Sequence, residues 1–440
     1  MRNSLLSGFQ RLIPWALLAP ALLAAEPQKL ADPLTLPIAL QYADKADQFD
    51  ILNASERLQQ SLAESDSALS DNDLRVNVFG RLRRVGVSPL GDPTQEDDSL
   101  ISLFVTKPLY DFGKSDRIDA LSALNVELRE LERQYLVEQR ELRITQKFFD
   151  VLNADNEYLR HNEDLAIGFI NWDRARERLE LGLSSTLEVL EKQTAYERIR
   201  QNRYRAENLQ RMTRVLLVEE LGFPGQPPSD VAPPELRATG NIGDDVERMV
   251  KQAFEHSLLL KVQQKRVDIA MQAIEVASHT SAPSLEAELE FSEYAKDGPN
   301  RDDWRASIYF DVPLYDGSRE SSAVRIARAR YNQALADLQK TRSALRVEVL
   351  RLWQEIRQNS LRLEGELVNQ GFRDLALDRA RTEYQLEFKA DLGDSMVEYS
   401  NSRMLAYQAR YALEMSWIKL EKLLGKEFLN ELTKPGGGNG

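Results

Sequence analysis

The sequence predicts an elongated protein of mixed α and β structure, built twice from the same arrangement of short strands and very long helices. Three observations carry this prediction. The tetrapeptide Pro-Leu-Tyr-Asp at residues 108–111 recurs at residues 313–316. From about residue 114 to about residue 181 there is no proline and one glycine, which favours one continuous helix. Several short runs alternate apolar and polar residues, as half-exposed strands do.

The duplication defines the expected domain boundaries. The two tetrapeptides are separated by 313 − 108 = 205 residues, and each half ends in Leu-Gly, at 221–222 and at 424–425. We expect a first repeat over residues 36–222, a proline-rich linker over 223–243, a second repeat over 244–428 and a flexible tail over 429–440. Each repeat is expected to contain a helix, two strands and two long helices.

The long helices carry apolar residues at steps of three and four, the pattern of helices packed side by side as in a coiled coil. In the first half these are Leu121, Leu124, Leu128, Leu131 and Tyr135. In the second half they are Val324, Ala327, Tyr331, Ala334, Leu338, Thr341 and Leu345. A helix over residues 114–181 is on the order of 100 Å long, so the molecule is predicted to be elongated.

The strand-like runs separate apolar from charged side chains, as the wall of a membrane β-barrel does. Four strands cannot close a barrel, since the smallest membrane barrels have about 8, so several copies must combine. The alternative is an amphipathic sheet in a soluble protein. Residues 88–98 and 295–303 are expected to form exposed turns. The side chains predicted to face the barrel lumen are Arg75, Arg81, Arg83, Glu286, Glu288, Glu290 and Arg305.

Residues 1–25 have the features of a secretory signal peptide: Arg2 and Arg11 precede a short apolar stretch, and small residues lie near its end. A membrane anchor is the alternative, although the apolar stretch is shorter than the ~20 residues of a spanning helix. The mature chain is therefore expected to be exported. If it enters a membrane, it must do so as a β-barrel.

Composition argues against several classes of function. The chain contains no cysteine, which excludes disulfides and thiolate sites, and its formal charge of −13 argues against nucleic-acid binding. The three histidines, His161, His256 and His279, are scattered without the spacing of a metal site or a catalytic triad. We therefore predict neither an enzyme nor a cofactor or metal site.

These features together resemble the TolC-like outer membrane efflux family, over about residues 36–428. The resemblance rests on the two Pro-Leu-Tyr-Asp segments, the two Leu-Gly helix ends, and Leu-Gly-Leu-Ser at 181–184 followed by Leu-Glu-Val-Leu at 187–190. It implies a homotrimer whose 12-stranded barrel sits in outer-membrane lipid and continues as a coiled-coil tunnel across the periplasm. It also implies a periplasmic adaptor and an inner-membrane transporter as partners.

The resemblance further implies a gate at the far end of the tunnel. Asp394 aligns with the family's gate aspartate, and Asp391 lies three residues before it. Glu188 is the counterpart in the first half. Three-fold symmetry would bring such carboxylates together as an ion-selective ring. The alternative is that they only cap helix N-termini.

Two turns between long helices are predicted to form the tip that meets the adaptor. They are Gly182, Leu183 and Ser184 in the first half and Phe388, Lys389 and Ala390 in the second. Phe388 stands where the family usually has glycine, so the second turn departs from the family pattern. Leu183 and Phe388 would offer apolar side chains to a partner coiled coil, or alternatively pack inside their own trimer.

The predicted function is a passive trimeric exit duct of a tripartite efflux or type I secretion system. The alternative is a soluble periplasmic coiled-coil scaffold without a pore. Drugs, metal ions and a secreted polypeptide all remain open as the exported substrate.

Overall fold

The computed structural model describes residues 30–45, 48–86, 97–237, 242–295, 301–386, 392–426 and 428. The predicted signal peptide, residues 1–25, and the tail, residues 429–440, lie outside these ranges.

The two halves contain the same elements in the same order. The first half contains α1 (Leu36–Leu40), α2 (Phe49–Ser70), β1 (Arg75–Arg81), β2 (Leu100–Tyr110), α3 (Lys114–Glu180) and α4 (Thr186–Leu221). The second half contains α5 (Val246–His256), α6 (Leu258–Ala277), β3 (Ser284–Tyr294), β4 (Trp304–Asp311), α7 (Arg319–Gln385) and α8 (Leu392–Leu424). The predicted mixed architecture, its four strands and its long helices are confirmed. Within the described ranges, no helix combines the length and the apolar character needed to cross a membrane.

The structure contains two short helices, α1 and α5, that the sequence pattern does not distinguish from the helices that follow them. Helix α5 ends at His256 because Ser257 adopts an extended conformation, with ψ of 119°. The Ser257 hydroxyl then accepts a hydrogen bond from the Leu260 amide and begins α6. One apolar pattern therefore spans two helices.

The strands form one antiparallel sheet in the order β1-β2-β3-β4, so the two halves meet between β2 and β3. Near the sheet, the helices pack in the order α2, α3, α6, α7. Farther away, α4 replaces α2 and α8 replaces α6, giving the order α4, α3, α8, α7. The long helices α3 and α7 run through both levels and connect them.

The hydrophobic core lies where the two levels of helices meet. One cluster joins α5, α6, α7 and α8, and the other joins α3, α4, α8 and the segments around Leu34 and Val231. In the second cluster the Phe149 ring stacks on Tyr411 with centroids 5.2 Å apart. Burial there raises the pKa of Tyr411 to about 12.

Arg140 lies inside this second cluster and is 1% exposed. Its guanidinium donates hydrogen bonds to the carbonyl oxygens of Ala43 and Lys45, both at 3.1 Å, and of Glu220 at 3.0 Å. The side chain thereby joins the segment after α1 to the end of α4. Burial lowers the pKa of Arg140, and the nearby Glu220 carboxylate partly opposes that shift.

Candidate functional site

The sheet separates its side chains into two faces of opposite character. Antiparallel register places Asn77, Phe104, Glu290 and Arg305 side by side, and alternation along each strand extends this face. Six of the seven residues predicted to face a lumen lie on this polar face: Arg75, Arg81, Glu286, Glu288, Glu290 and Arg305. Their assignment to a lumen stays a prediction.

Several charges on the polar face are paired with neighbouring side chains. Arg305 lies 3.4 Å from a carboxylate oxygen of Glu290. The Ser292 hydroxyl donates to the other Glu290 oxygen at 2.6 Å, and the Tyr309 hydroxyl donates to Glu288 at 3.0 Å. The face is therefore a hydrogen-bonded polar surface of the kind that lines water-filled barrels.

Arg83, the seventh predicted lumen residue, lies beyond the end of β1 rather than within it. It forms an ion pair with Asp98, which also pairs with Arg301. Asp98 is 5% exposed, so the expectation that residues 88–98 form an exposed turn is wrong at this position. The guanidinium groups of Arg83 and Arg301 compensate for the burial of the Asp98 carboxylate. The polar composition of this segment does not indicate that one of its carboxylates is buried. Residues 87–96 lie outside the described part of the chain.

The opposite face of the sheet is apolar and exposed on the single protomer. Val78 and Ile308 are each 69% exposed. Other large apolar side chains on this face are Val76, Ile101, Leu289, Phe291, Trp304 and Phe310. A contiguous apolar surface that is exposed on the single protomer marks a site of contact with lipid or with another protein.

The duplicated Pro-Leu-Tyr-Asp segment forms the corner between a strand and a long helix. The Asp111 carboxylate accepts hydrogen bonds from the amides of Gly113 at 3.1 Å and Ser115 at 2.7 Å. Asp316 repeats this at Ser318 and Glu320, at 2.9 and 2.7 Å. Burial tends to raise the pKa of Asp111, but these hydrogen bonds outweigh it and the pKa is lowered. The motif is thus a helix cap.

The first predicted tip, the turn between α3 and α4, is compact and exposed. Gly182 has a φ of +74°, which glycine adopts without strain. The Leu183 amide donates to the Arg178 carbonyl at 2.8 Å and closes the end of α3. The Ser184 side chain lies beside α4 and is partly exposed. Leu183 is 65% exposed on the single protomer, and its docking role stays a prediction.

Glu188 is held within this turn. The Ser184 hydroxyl donates to its carboxylate at 2.6 Å, and Arg178 lies 3.8 Å away. The Glu188 amide also donates to the Ser185 hydroxyl at 3.2 Å. Ser185 is therefore the side chain that caps α4, whereas the Glu188 carboxylate contacts Ser184 and Arg178. Its membership of a gate ring stays a prediction.

The second predicted tip falls largely outside the described residues. Phe388, Lys389, Ala390 and Asp391 all belong to the undescribed segment between α7 and α8. Asp394 is described, and its exposed side chain lies in the first turn of α8. The gate and docking roles of this turn stay predictions.

The described residues contain no group of three or more histidine, aspartate or glutamate side chains placed to hold a metal ion. His161 lies on α3, whereas His256 ends α5. His279 hydrogen-bonds to its neighbour Ser278 at 3.0 Å.

An open four-stranded sheet with one polar and one apolar face, continued by paired long helices, defines one segment of a membrane channel wall.

Comparison with known proteins agrees with this interpretation of the fold. The sequence model of the family described as outer membrane efflux protein matches residues 249–426. The outer membrane protein TolC of Vibrio cholerae is 26% identical over 50% of this chain. The protein CyaE of Bordetella pertussis is 24% identical over 57% of it. The aligned parts span about half the length of these relatives, at 52% and 54%.

The fold extends the similarity to nearly the whole chain. The outer membrane protein VceC of Vibrio cholerae superposes with a TM-score of 0.69 at 15% identity, covering 89% of this chain and 96% of that one. The resemblance found in the sequence is therefore confirmed: residues 249–426 match the outer membrane efflux protein family, and the fold of the chain is that of TolC-like outer membrane channels. The protein is located in the outer membrane and extends into the periplasm, which disfavours the soluble scaffold.

This location leads to a prediction about the two faces of the sheet. Ile308 and Ser307 are neighbours on β4 that point to opposite faces. Ile308→Arg should impair membrane insertion, because arginine on a lipid-facing strand costs ~2–4 kcal/mol near the midplane. Val78→Arg and Leu289→Arg should behave alike. Recovery of the protein in the outer-membrane fraction is the measurement.

The matched controls are Ser307→Arg and Asn77→Arg on the polar face, which should be tolerated. Equal recovery of both sets of variants would mean that the apolar face is not the lipid boundary.

Proposed function

We propose that three copies of this chain close head to tail into a passive outer-membrane exit duct. The duct works with a periplasmic adaptor and an inner-membrane pump, in a tripartite efflux or type I secretion system. The observation that carries the proposal is the arrangement of open edges on the protomer.

At every level of the protomer, one outer edge is formed by an element of the first half and the other edge by an element of the second half. In the sheet these are β1 and β4. Beside the sheet they are α2 and α7, and farther away they are α4 and α7. A surface that ends differently on its two sides can join a second copy head to tail, and such contacts make rings when the rotation closes.

The edge helices carry apolar side chains that the protomer leaves exposed. On α2, Phe49 is 86% exposed. On α7, Leu361 is 70% and Leu375 is 73% exposed, and Val368 and Phe372 between them are exposed as well. Positions 361, 368, 372 and 375 follow the spacing of a coiled-coil contact stripe. A neighbouring copy would cover them.

Ring closure also explains the strand count. Four strands per copy are too few for a barrel, whereas three copies supply twelve. The polar faces would then line the lumen, and the helices would continue the wall into the periplasm. Passive export through such a duct needs no catalytic residues in the duct itself.

The proposal is tested on detergent-extracted protein. We expect light scattering to give the mass of a trimer, and we expect the purified trimer to conduct ions across a planar bilayer. A folded, monodisperse monomer would overturn the proposal, and so would a trimer without conductance under any applied voltage. The substrate class is identified by deleting the gene and profiling what the cell no longer exports.

The gate leads to a separate prediction. Asp394→Asn, alone or with Asp391→Asn, should weaken cation selectivity and block by divalent cations, because a carboxylate ring selects ions by its field. Reversal potentials and block in planar bilayers are the measurements. Glu286→Gln, on the wide sheet region, should change them less. Wild-type behaviour of the double variant would show that these aspartates only cap the helix.

A further inference from the structure

The layer of helices is interrupted between α3 and α7. Near the sheet the helix between them is α6, which begins at Leu258, and farther away it is α8, which ends at Leu424. An open pocket of about 540 Å³ lies where these two helix ends meet, and side chains of α3, α6, α7 and α8 line it. Pockets of this size hold small organic molecules.

Much of the pocket wall is apolar. The ring of Tyr135 lies on one side, and leucine side chains from all four helices complete the apolar surface. These leucines are Leu142, Leu259, Leu345, Leu352 and Leu423. Burial of apolar surface favours any ligand with an apolar body, so the charged groups of the pocket decide which class of ligand it takes.

The basic side chains of the pocket differ in whether they have a partner. Arg351 pairs with Glu348 at 2.7 Å. Lys422 pairs with Glu141. Lys419 is half-buried, and its ammonium makes no ion pair or hydrogen bond with any residue that the structure describes. An ammonium that is partly removed from water without a partner is unfavourable, and an anion in the pocket would satisfy it.

The acidic side chain of Glu138 lines the same pocket and also lacks an ion pair or hydrogen bond within the described ranges. Burial raises the pKa of Glu138; Lys422 opposes this shift, and Glu141 adds to it. The raised pKa favours the uncharged carboxyl group, which can donate a hydrogen bond to an anion. Because the other charges of the pocket are paired, Lys419 leaves it with a positive balance.

The pocket opens on the face of the helices opposite to α5. Arg346 pairs with Glu247 on α5 at 3.6 Å, and the Trp353 indole donates to the Gly243 carbonyl, just before α5, at 3.1 Å. Arg351 in the pocket lies two residues before Trp353, which is roughly 200° around α7. The pocket lies between α3 and α7 rather than at an outer edge, so the ring proposed above leaves its mouth open.

We propose that this pocket binds an amphipathic organic anion, with a carboxylate, sulfonate or sulfate group on an apolar ring system. The anionic group pairs with the Lys419 ammonium, and the apolar body lies against the leucines. The proposal goes beyond the exit duct, because binding requires only the folded helices around the pocket.

Three probes with the same apolar body test the charge of the ligand. Naphthoate carries a carboxylate, naphthamide is uncharged, and naphthylmethylamine carries an ammonium. Calorimetric titration of the full chain in lipid nanodiscs, with the signal of protein-free nanodiscs subtracted, gives the three affinities. We expect naphthoate to bind roughly tenfold more tightly than naphthamide, because hydrogen bonds between charged groups are the stronger ones. Equal affinities, or tighter binding of the amine, would overturn the proposal.

Variants of the charged residues test which group holds the anion. Lys419→Gln should weaken naphthoate binding by roughly tenfold, and Lys419→Arg should retain it. The matched control is Lys340→Gln, because Lys340 is exposed on α7 and does not line the pocket. Glu138→Gln should not weaken binding, since the amide still donates a hydrogen bond. A loss of binding in Glu138→Gln but not in Lys419→Gln would show that the pocket takes a cation instead.

A filled pocket tests the location of the site. Ala344 and Ala336 are both exposed on α7, but only Ala344 lines the pocket. Ala344→Phe should therefore abolish naphthoate binding, whereas Ala336→Phe should leave it unchanged. Unfolding midpoints show that both variants are folded. Wild-type affinity in a folded Ala344→Phe variant would place naphthoate elsewhere and overturn the assignment of this pocket.

Discussion

Arg140→Leu is expected to destabilise the protein by roughly 3–5 kcal/mol, the largest stability effect of any single substitution proposed for this chain. The change leaves the carbonyl oxygens of Ala43, Lys45 and Glu220 without their guanidinium donor, in a site where Arg140 is 1% exposed. It also leaves the Glu220 carboxylate without its 4.0 Å neighbour. The midpoint of denaturant unfolding is the measurement.

Arg200→Leu is the matched control. Arg200 also lies on a long helix and forms an ion pair, with Glu197 at 2.9 Å, but its side chain is 60% exposed. Exposed pairs of this kind contribute about 0–1 kcal/mol, so this variant should unfold near the wild-type midpoint. Equal midpoints for the two variants would show that Arg140 does not hold the segments together.

Leu183→Asp is expected to abolish export while leaving the trimer and its amount in the outer membrane unchanged. Leu183 is 65% exposed at the turn between α3 and α4, where a partner coiled coil would insert an apolar side chain beside it. An aspartate there would place an unpaired charge in the contact, which costs several kcal/mol once buried. Substrate accumulation in the cell measures export, and light scattering measures the trimer.

Leu159→Asp provides the comparison. Leu159 lies on the same helix as the tip, far from its end, and is 57% exposed. This variant should retain export. If Leu183→Asp dissolves the trimer instead, the tip side chains pack within their own assembly, and the docking assignment is wrong.

The architecture can be predicted well from the sequence, because the prediction relies on patterns that lie within single helices and strands. Alternation along the strands placed Glu286, Glu288 and Glu290 on one face, and the register confirms that shared face. Freedom from proline predicted the long helix that the structure has at Lys114–Glu180. Each of these patterns acts within one element, so no knowledge of tertiary packing is needed to read it.

The features missed by the sequence depend on contacts between distant segments. Arg140 looks like one more exposed arginine, because its three acceptors come from residues 95 or more positions before it and 80 after it. The repeat does contain a signal, since the offset of 205 places the buried Leu345 at the equivalent position. Asp98 was missed for the same reason, as one of its partners is Arg301 in the other half.

Gly393 is a further feature that the sequence pattern does not reveal. A glycine beside a predicted turn is read as a turn residue, because turns favour glycine. Here it lies inside the first turn of α8, where a Cβ atom would come within 2.7 Å of Cγ2 of Ile167. Only the position of α3 relative to α8 reveals this, and no periodicity along one helix encodes it.

The unlike edges of the protomer have a genetic consequence. Because β1 and β4 belong to different halves, each copy of the proposed ring would contribute to two contacts with two different surfaces. A copy damaged on one edge alone can still occupy a place in the ring with its intact edge and leave the ring unclosed. When altered and normal copies are made in equal amounts, most rings contain at least one altered copy. Alleles that damage a single edge should therefore be dominant, whereas alleles that prevent folding should be recessive.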